Sequence, residues 1–230
     1  MSIKKDKRFD KLNNDFNKMK LLLFQQFEIL EEVVQLGLNN VDAKSVTAFK
    51  KNEEKLDKFE LKMSDSIIQT IGLEQPMASE LRLIVSYFRM IGHIERIGDQ
   101  LNNVMRFFHK LDPPNIPENQ RDSVLNMLSI SEEMVRKALI SFEDGDREYA
   151  IWAIKNDEIV DEMQRKLLKR MVKKNSPKGS EPTEIFNLLN FGSILGSIER
   201  IADNATNIAE ASIYYQQGID LRHQDLPEES

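Results

Sequence analysis

The chain repeats itself. Ile94-Glu95-Arg96-Ile97-Gly98-Asp99 returns 104 residues later as Ile198-Glu199-Arg200-Ile201-Ala202-Asp203. The same offset pairs Asp42 with Asp146, Lys51-Asn52 with Lys155-Asn156, Asp57 with Asp161 and Glu80 with Glu184. It also pairs Gly92 with Gly196 and Asn103 with Asn207, with no insertion between these anchors. An in-register duplication of this length means one supersecondary unit used twice. Two units are assigned accordingly, residues 1–111 and 112–230.

The punctuation says what the unit is made of. Nine glycines and seven prolines in 230 residues leave too few turns for an all-β sandwich or barrel. Pro76 follows Gly72, Pro113, Pro114 and Pro117 cluster, and Pro177 and Gly179 precede Pro182. Asn39-Asn40 and Asp144-Gly145 supply the shorter turns. Between these marks the apolar spacing is helical. It predicts helices over roughly 10–38, 43–73, 77–110, 117–143, 146–174 and 182–217. The expected fold is all-α, two tandem three-helix bundles. The first helices of the two units match poorly, and they are expected to face different neighbours.

Charge and composition narrow the function. A net charge of −6 excludes a general electrostatic grip on nucleic acid. The absence of cysteine removes disulfides, thiolate metal sites and a Cys nucleophile. Lys4, Lys5, Lys7, Arg8 and Lys11 are followed by no apolar stretch of a secretory signal. Apolar runs such as Leu21-Leu22-Leu23-Phe24 fall far short of the ~20 residues that span a bilayer. No membrane span is expected, and the location read from these features is the cytoplasm.

Chemistry concentrates in four carboxylate pairs at i, i+4: Glu53/Asp57, Glu95/Asp99, Asp157/Asp161 and Glu199/Asp203. Such pairs share a helix face and repel by ~0.2–0.5 kcal/mol. Glu95 and Asp99 continue the stripe of Leu81, Ile84, Phe88 and Ile91, while Glu53, Asp57 and Glu60 precede Ile67 and Ile71. Folding the second helix on the third about residue 74 brings Glu53/Asp57 and Glu95/Asp99 within ~6 Å of one level. The second unit, folded about residue 178, does the same for Asp157/Asp161 and Glu199/Asp203. Each bundle thus collects four carboxylates, with Asn103 or Asn207 one turn further on. Close ionised carboxylates call for cations, and the available ligands are hard oxygens suited to magnesium, manganese, calcium or ferric iron. A solvated acidic face is the competing reading, since duplication copies such a face too.

Other candidates are weaker. His93, His109 and His223 are scattered, and none stands three residues after a Glu, so the ligand motif of di-iron bundle enzymes is missing. Arg96 and Arg200 are expected to pair with Asp99 and Asp203, with neutralising the stripe or meeting a partner as alternatives. Mid-helix Gly92 and Gly196 suggest close helix approach. Trp152 reads as core or interface.

These residues resemble the PhoU family, accessory proteins of high-affinity phosphate transport. The doubled Glu-Arg-Ile-x-Asp carries the resemblance, with Gln75-Pro76-Met77-Ala78-Ser79-Glu80-Leu81-Arg82 and Gln217-Gly218-Ile219-Asp220-Leu221-Arg222-His223. Two positions depart from the family pattern: Glu80 stands for Asp, and Ala202 for Gly. The resemblance implies two three-helix bundles, a homodimer, and metal clusters on E/D-x-x-x-D motifs. Those motifs fall on Glu53/Asp57, Glu95/Asp99, Asp157/Asp161 and Glu199/Asp203, holding divalent or ferric ions (iron, manganese or magnesium). It further implies a non-enzymatic negative regulator linking phosphate uptake to phosphate-responsive signalling. The implied partners are the phosphate ABC transporter's ATPase subunit and a membrane sensor histidine kinase. Through them the chain would sit at the inner face of the membrane. Two alternatives remain, a carboxylate-bridged metal-dependent bundle enzyme and a metal-free helical adaptor.

Overall fold

The computed structural model describes residues 3–174 and 181–221. The second expected hairpin turn, near 178, and the tail with Arg222 and His223 lie outside them. Six long helices account for nearly all of the described chain. They are α1 (Ile3–Leu36), α2 (Ala43–Glu74), α3 (Ser79–Phe108), α4 (Glu118–Asp144), α5 (Arg147–Lys174) and α6 (Pro182–Gln217). Five match the sequence expectation to within about two residues. The first begins earlier, at Ile3 rather than near 10, because neither Gly nor Pro interrupts the chain before Gly37.

The repeat is visible in the caps. The Asp42 side chain accepts from the Lys44 amide at 3.0 Å, and Asp146 accepts from the Glu148 amide at 2.9 Å. Each Asp thus satisfies a free N–H at the start of the second helix of its unit. Upstream, α4 ends at Gly145, whose φ of 73° a side chain would strain.

α1, α2 and α3 pack as one bundle, and α4, α5 and α6 as the other. The bundles join chiefly through α3 and α6, with a lesser contact between α1 and α4. Ser86 donates to the Ala211 carbonyl, His93 meets Asn204 at 2.9 Å, and Asn187 donates to the Asp112 carbonyl. As the number rises on α3 it falls on α6, so the two helices run antiparallel. Equivalent residues Ile97 and Ile201, both fully buried, fall at the crossing. The molecule is therefore a layer in the order α2, α3, α6, α5, backed by α1 and α4.

One continuous core runs through both bundles. Phe16 of α1, Tyr87 of α3, Phe142 of α4 and Tyr215 of α6 stack edge to face at 5.0–5.9 Å across the junction. Trp152 packs against this core under Lys137.

The glycines correct one expectation. A Cβ on Gly92 would meet nothing within 4 Å, and one on Gly196 only Gln164 at an ordinary 3.7 Å. Neither marks a close helix approach, because both face outward from the layer. The close approach is at Gly98, where a Cβ would stand 2.9 Å from Leu56 of α2. Its counterpart Ala202 is fully buried with its Cβ in place, so the second unit accommodates a methyl group at the equivalent position.

Candidate functional site

Both acidic clusters lie on the outer face of the four-helix layer, one in the α2/α3 groove and one in the α5/α6 groove. In the first, Asp57 and Asp99 both press on Glu53, and Asp99, Asp57 and Glu60 all press on Glu95. In the second, Asp203 and Asp161 press on both Asp157 and Glu199. The carboxylate pairs placed together by sequence arithmetic are brought together by the fold. Glu60, at the edge of the first cluster, is a further carboxylate outside the four pairs, and Gln164 occupies its place in the second.

The two clusters carry their charge uncomfortably. Burial, then neighbouring carboxylates, raises the pKa of Glu53, Glu95 and Asp99 in the first cluster. The second is more strongly affected. Burial and Asp203 push Asp157 up to about 6, and burial with Asp203 and Asp161 pushes Glu199 up to about 7. Asp203 is raised by the same causes, burial first and Asp161 next. These shifts mark groups that a cation would relieve.

The polar neighbours differ from expectation. Asn102, not Asn103, reaches the first cluster: its amide donates to Glu53 at 2.5 Å. Asn103 instead accepts from Arg106 at 2.8 Å, and Asn207 donates to the Asp203 backbone carbonyl at 2.7 Å. The reason is angular. Counted from Asp99 at ~100° per residue, Glu95 and Asn102 lean the same way, toward α2, whereas Asn103 leans to the other side. The counterpart of Asn102 is Thr206, whose hydroxyl lies beside Asp157 and lowers its pKa. It closes no hydrogen bond of ordinary geometry, although its oxygen is buried.

Arg96 and Arg200 are both exposed, and neither closes an ion pair among the described residues. The expected pairs with Asp99 and Asp203 are therefore not formed as salt bridges. Arg96 acts through space on Glu95, and Arg200 on Glu199 and Asp203. His93 stays at the α3/α6 junction, held toward its neutral form by burial, and His109 is exposed.

The donor set is entirely oxygen, with a buried unpartnered hydroxyl at one cluster, and it fits a hard cation. As the side chains stand, no three carboxyl or imidazole groups among the described residues converge tightly enough to enclose one ion. Cation capture there would draw the carboxylates inward from mutually repelled positions.

The PhoU domain profile matches twice, over residues 27–108 and 124–212. The phosphate-specific transport system accessory protein PhoU homolog of Pseudomonas aeruginosa is 31% identical over 198 residues, covering 85% of this chain and 81% of that protein. The crystal structure of PhoU from the same organism superposes with a TM-score of 0.83 at 25% identity, covering 93% and 99% of the two chains. That of the phosphate transport system regulatory protein PhoU from Streptococcus pneumoniae gives a TM-score of 0.73 at 20% identity, covering 94% and 100%, and shares the fold. With two profile matches across most of its length and the fold in common, this chain belongs to the PhoU family.

Proposed function

We propose that the chain is a non-enzymatic accessory protein of a phosphate transport system, restraining uptake and coupling it to phosphate-responsive signalling. The relatives named above as transport accessory and regulatory proteins support this reading. Its partners would be the transporter's ATPase subunit and, where one exists, a membrane sensor histidine kinase. No helix among the described residues is long and apolar enough to cross a membrane, so any membrane attachment of these helices runs through partners or surface contact. A homodimer suits the apolar side chains left on the first bundle, Leu61, Ile68, Leu73 and Met77, the last 78% exposed. Light scattering tests it, and monomer alone at tens of micromolar would contradict it.

In this reading the clusters hold cations. Glu53, Asp57, Glu95 and Asp99 would serve the first site, with Glu60 at its edge. Asp157, Asp161, Glu199 and Asp203 would serve the second. Asn102 and Thr206 stand nearer these carboxylates than Asn103 and Asn207 do. The ions, iron, manganese or magnesium, would neutralise charge and fix the outer face of the layer; no bond-making step is assigned to them. The observation that carries the proposal is the pairing of acidic motifs across two helices in both repeats, with carboxyl pKa values raised in each. Cells lacking the chain test the regulatory role. Phosphate uptake and starvation-gene expression in phosphate-rich medium should both rise and return to normal on complementation. Unchanged uptake and expression would refute it.

A further inference from the structure

We propose that the α1–α2 hairpin is a detachable arm, which lifts from α3 and α4 as one unit about residues 75–78 while α3 to α6 stay folded. This proposal stands whether or not the carboxylate clusters hold metal. The hairpin is tied along its own length. Arg8 pairs with Glu74 at 3.0 Å, Lys62 with Asp15 at 2.8 Å, and Asn52 donates to Gln25 at 3.2 Å. In the chain it is connected to the other four helices through 75–78, whereas α4–α5 is joined at both ends, to α3 and to α6.

That connection is strained. Gln75 and Ala78, neither of them glycine, have φ of 45° and 48°. Ala78, with ψ at −112°, also lies outside the small left-handed helical region open to side chains. Such strain persists only while the surrounding packing holds it, and detaching the arm releases it.

The seam that the arm closes is flawed at its centre. Gln26 of α1 is fully buried, and neither its Nε2 nor its Oε1 has a hydrogen-bond partner among the described residues. It lies where the three helices meet: a Cβ on Gly98 would stand 3.5 Å from Gln26 Oε1 and 2.9 Å from Leu56. An amide buried in this way costs stability, which water restores once the seam opens. At the repeat offset the second unit has Ile130, an apolar side chain packed on the core. Across the same seam Glu53 and Asp57 of the arm face Glu95 and Asp99 of α3 as like charges. The arm is held outward by its apolar face, by Lys20 on Glu143 of α4, and by hydrogen bonds from Asn102 to Glu53, from Tyr87 to Asn13 and from the Leu38 amide to the Pro114 carbonyl. These contacts bring it back, so the detachment is a local opening of the native molecule.

The test is hydrogen exchange of the full, metal-stripped chain in low urea, read by mass spectrometry. Amides of α1 over 19–34 and of α2 over 49–67 should share one protection, about tenfold or more below that of α6 over 194–209. Gln26→Met, which keeps the side-chain length and removes the amide, should slow exchange in both arm helices about tenfold. Ile198→Val, a small loss deep in α6, should leave exchange in the arm unchanged, because α6 does not open with it. Four results would each overturn the proposal: an arm as well protected as α6, unlike protection in α1 and α2, no effect of Gln26→Met, or an arm speeded by Ile198→Val as much as α6 is.

Discussion

The two acidic clusters share one motif, yet the smaller carries the larger strain. The first gathers Glu53, Asp57, Glu60, Glu95 and Asp99; the second has four carboxylates, with Gln164 where Glu60 would stand. If the number of charges decided, the first would hold the most raised pKa values. Instead Glu199 at about 7 and Asp157 at about 6 belong to the second. Burial is the leading cause at every shifted carboxyl of both clusters, so desolvation outweighs charge count here. Side-chain length adds to it. Asp157 is one methylene shorter than Glu53 and cannot extend as far into water. The neighbouring donor does not account for the difference, since Thr206 lowers the pKa of Asp157, which stays high in spite of it.

The largest expected effect is that of cations. Protein stripped by chelator should gain ~2.7 kcal/mol from manganese or magnesium at a hundredfold excess over Kd. For a chain of this size that is roughly 5–10 °C in Tm. The clusters should separate by pH, because protons held by Glu199 and Asp157 must leave before metal enters. Titration calorimetry at pH 6 and pH 8 should show the second site weakened at the lower pH much more than the first. Equal weakening of both would break the contrast.

Next comes the packing difference beneath the clusters. Gly98→Ala should cost up to ~2 kcal/mol net: the new Cβ meets the end of the buried Leu56 side chain at 2.9 Å, an overpacking cost of ~1–3 kcal/mol from which the ~1 kcal/mol gain in helix propensity is subtracted. The mirror change, Ala202→Gly, should cost only ~1 kcal/mol through helix propensity. Urea unfolding measures both, and a Gly98→Ala variant stabilised by the full ~1 kcal/mol of helix propensity would mean that α2 and α3 approach no more closely than α5 and α6.

The pH dependence of the metal-free protein is third. A carboxyl whose pKa is raised in the fold holds its proton there more firmly than in the unfolded chain. Its native form is therefore favoured at low pH, and stability falls as pH rises from the unfolded value, ~4, through the folded one. For Glu199 the window runs up to about pH 7, and for Asp157 to about pH 6. Glu199→Gln should flatten the fall of Tm between pH 5 and 7.5 more than Glu95→Gln does. A Tm that rises over that interval in metal-free protein, with the rise steepened by Glu199→Gln, would reverse the sign.

The smallest effect concerns the donor. Thr206→Asn places an amide where the first cluster has Asn102, and should lower the pKa of Asp157 by less than about one unit. Asn102→Thr should raise that of Glu53. Carboxyl titration followed by NMR reads both, and a shift of Asp157 upward would contradict the role given to the donor.

The helices, the repeat and the meeting of the acidic pairs were legible because each depends on spacing along one helix or across one hairpin. Breakers such as Pro76 and Gly145 mark ends, and an offset of 104 residues carries a motif to its equivalent place. What spacing could not settle was the angle at which neighbouring helices meet. Asn102 and Asn103 are nearly equivalent until the side on which α2 lies is known. The same blind spot assigned close packing to Gly92 rather than Gly98. It also paired Arg96 and Arg200 with acids they do not contact.

The claim that both clusters are cation sites is tested most directly by bound metal per chain. Wild type and the Asp99→Asn, Asp203→Asn double variant would be purified without chelator, dialysed, and measured by elemental mass spectrometry. Circular dichroism would show that helix content is unchanged. The wild type should retain iron, manganese or magnesium, and the double variant should lose most of it. Equal metal in the two proteins, or none in either after exposure to all three ions, would mean that Glu53, Asp57, Glu95, Asp99, Asp157, Asp161, Glu199 and Asp203 form only a solvated acidic face.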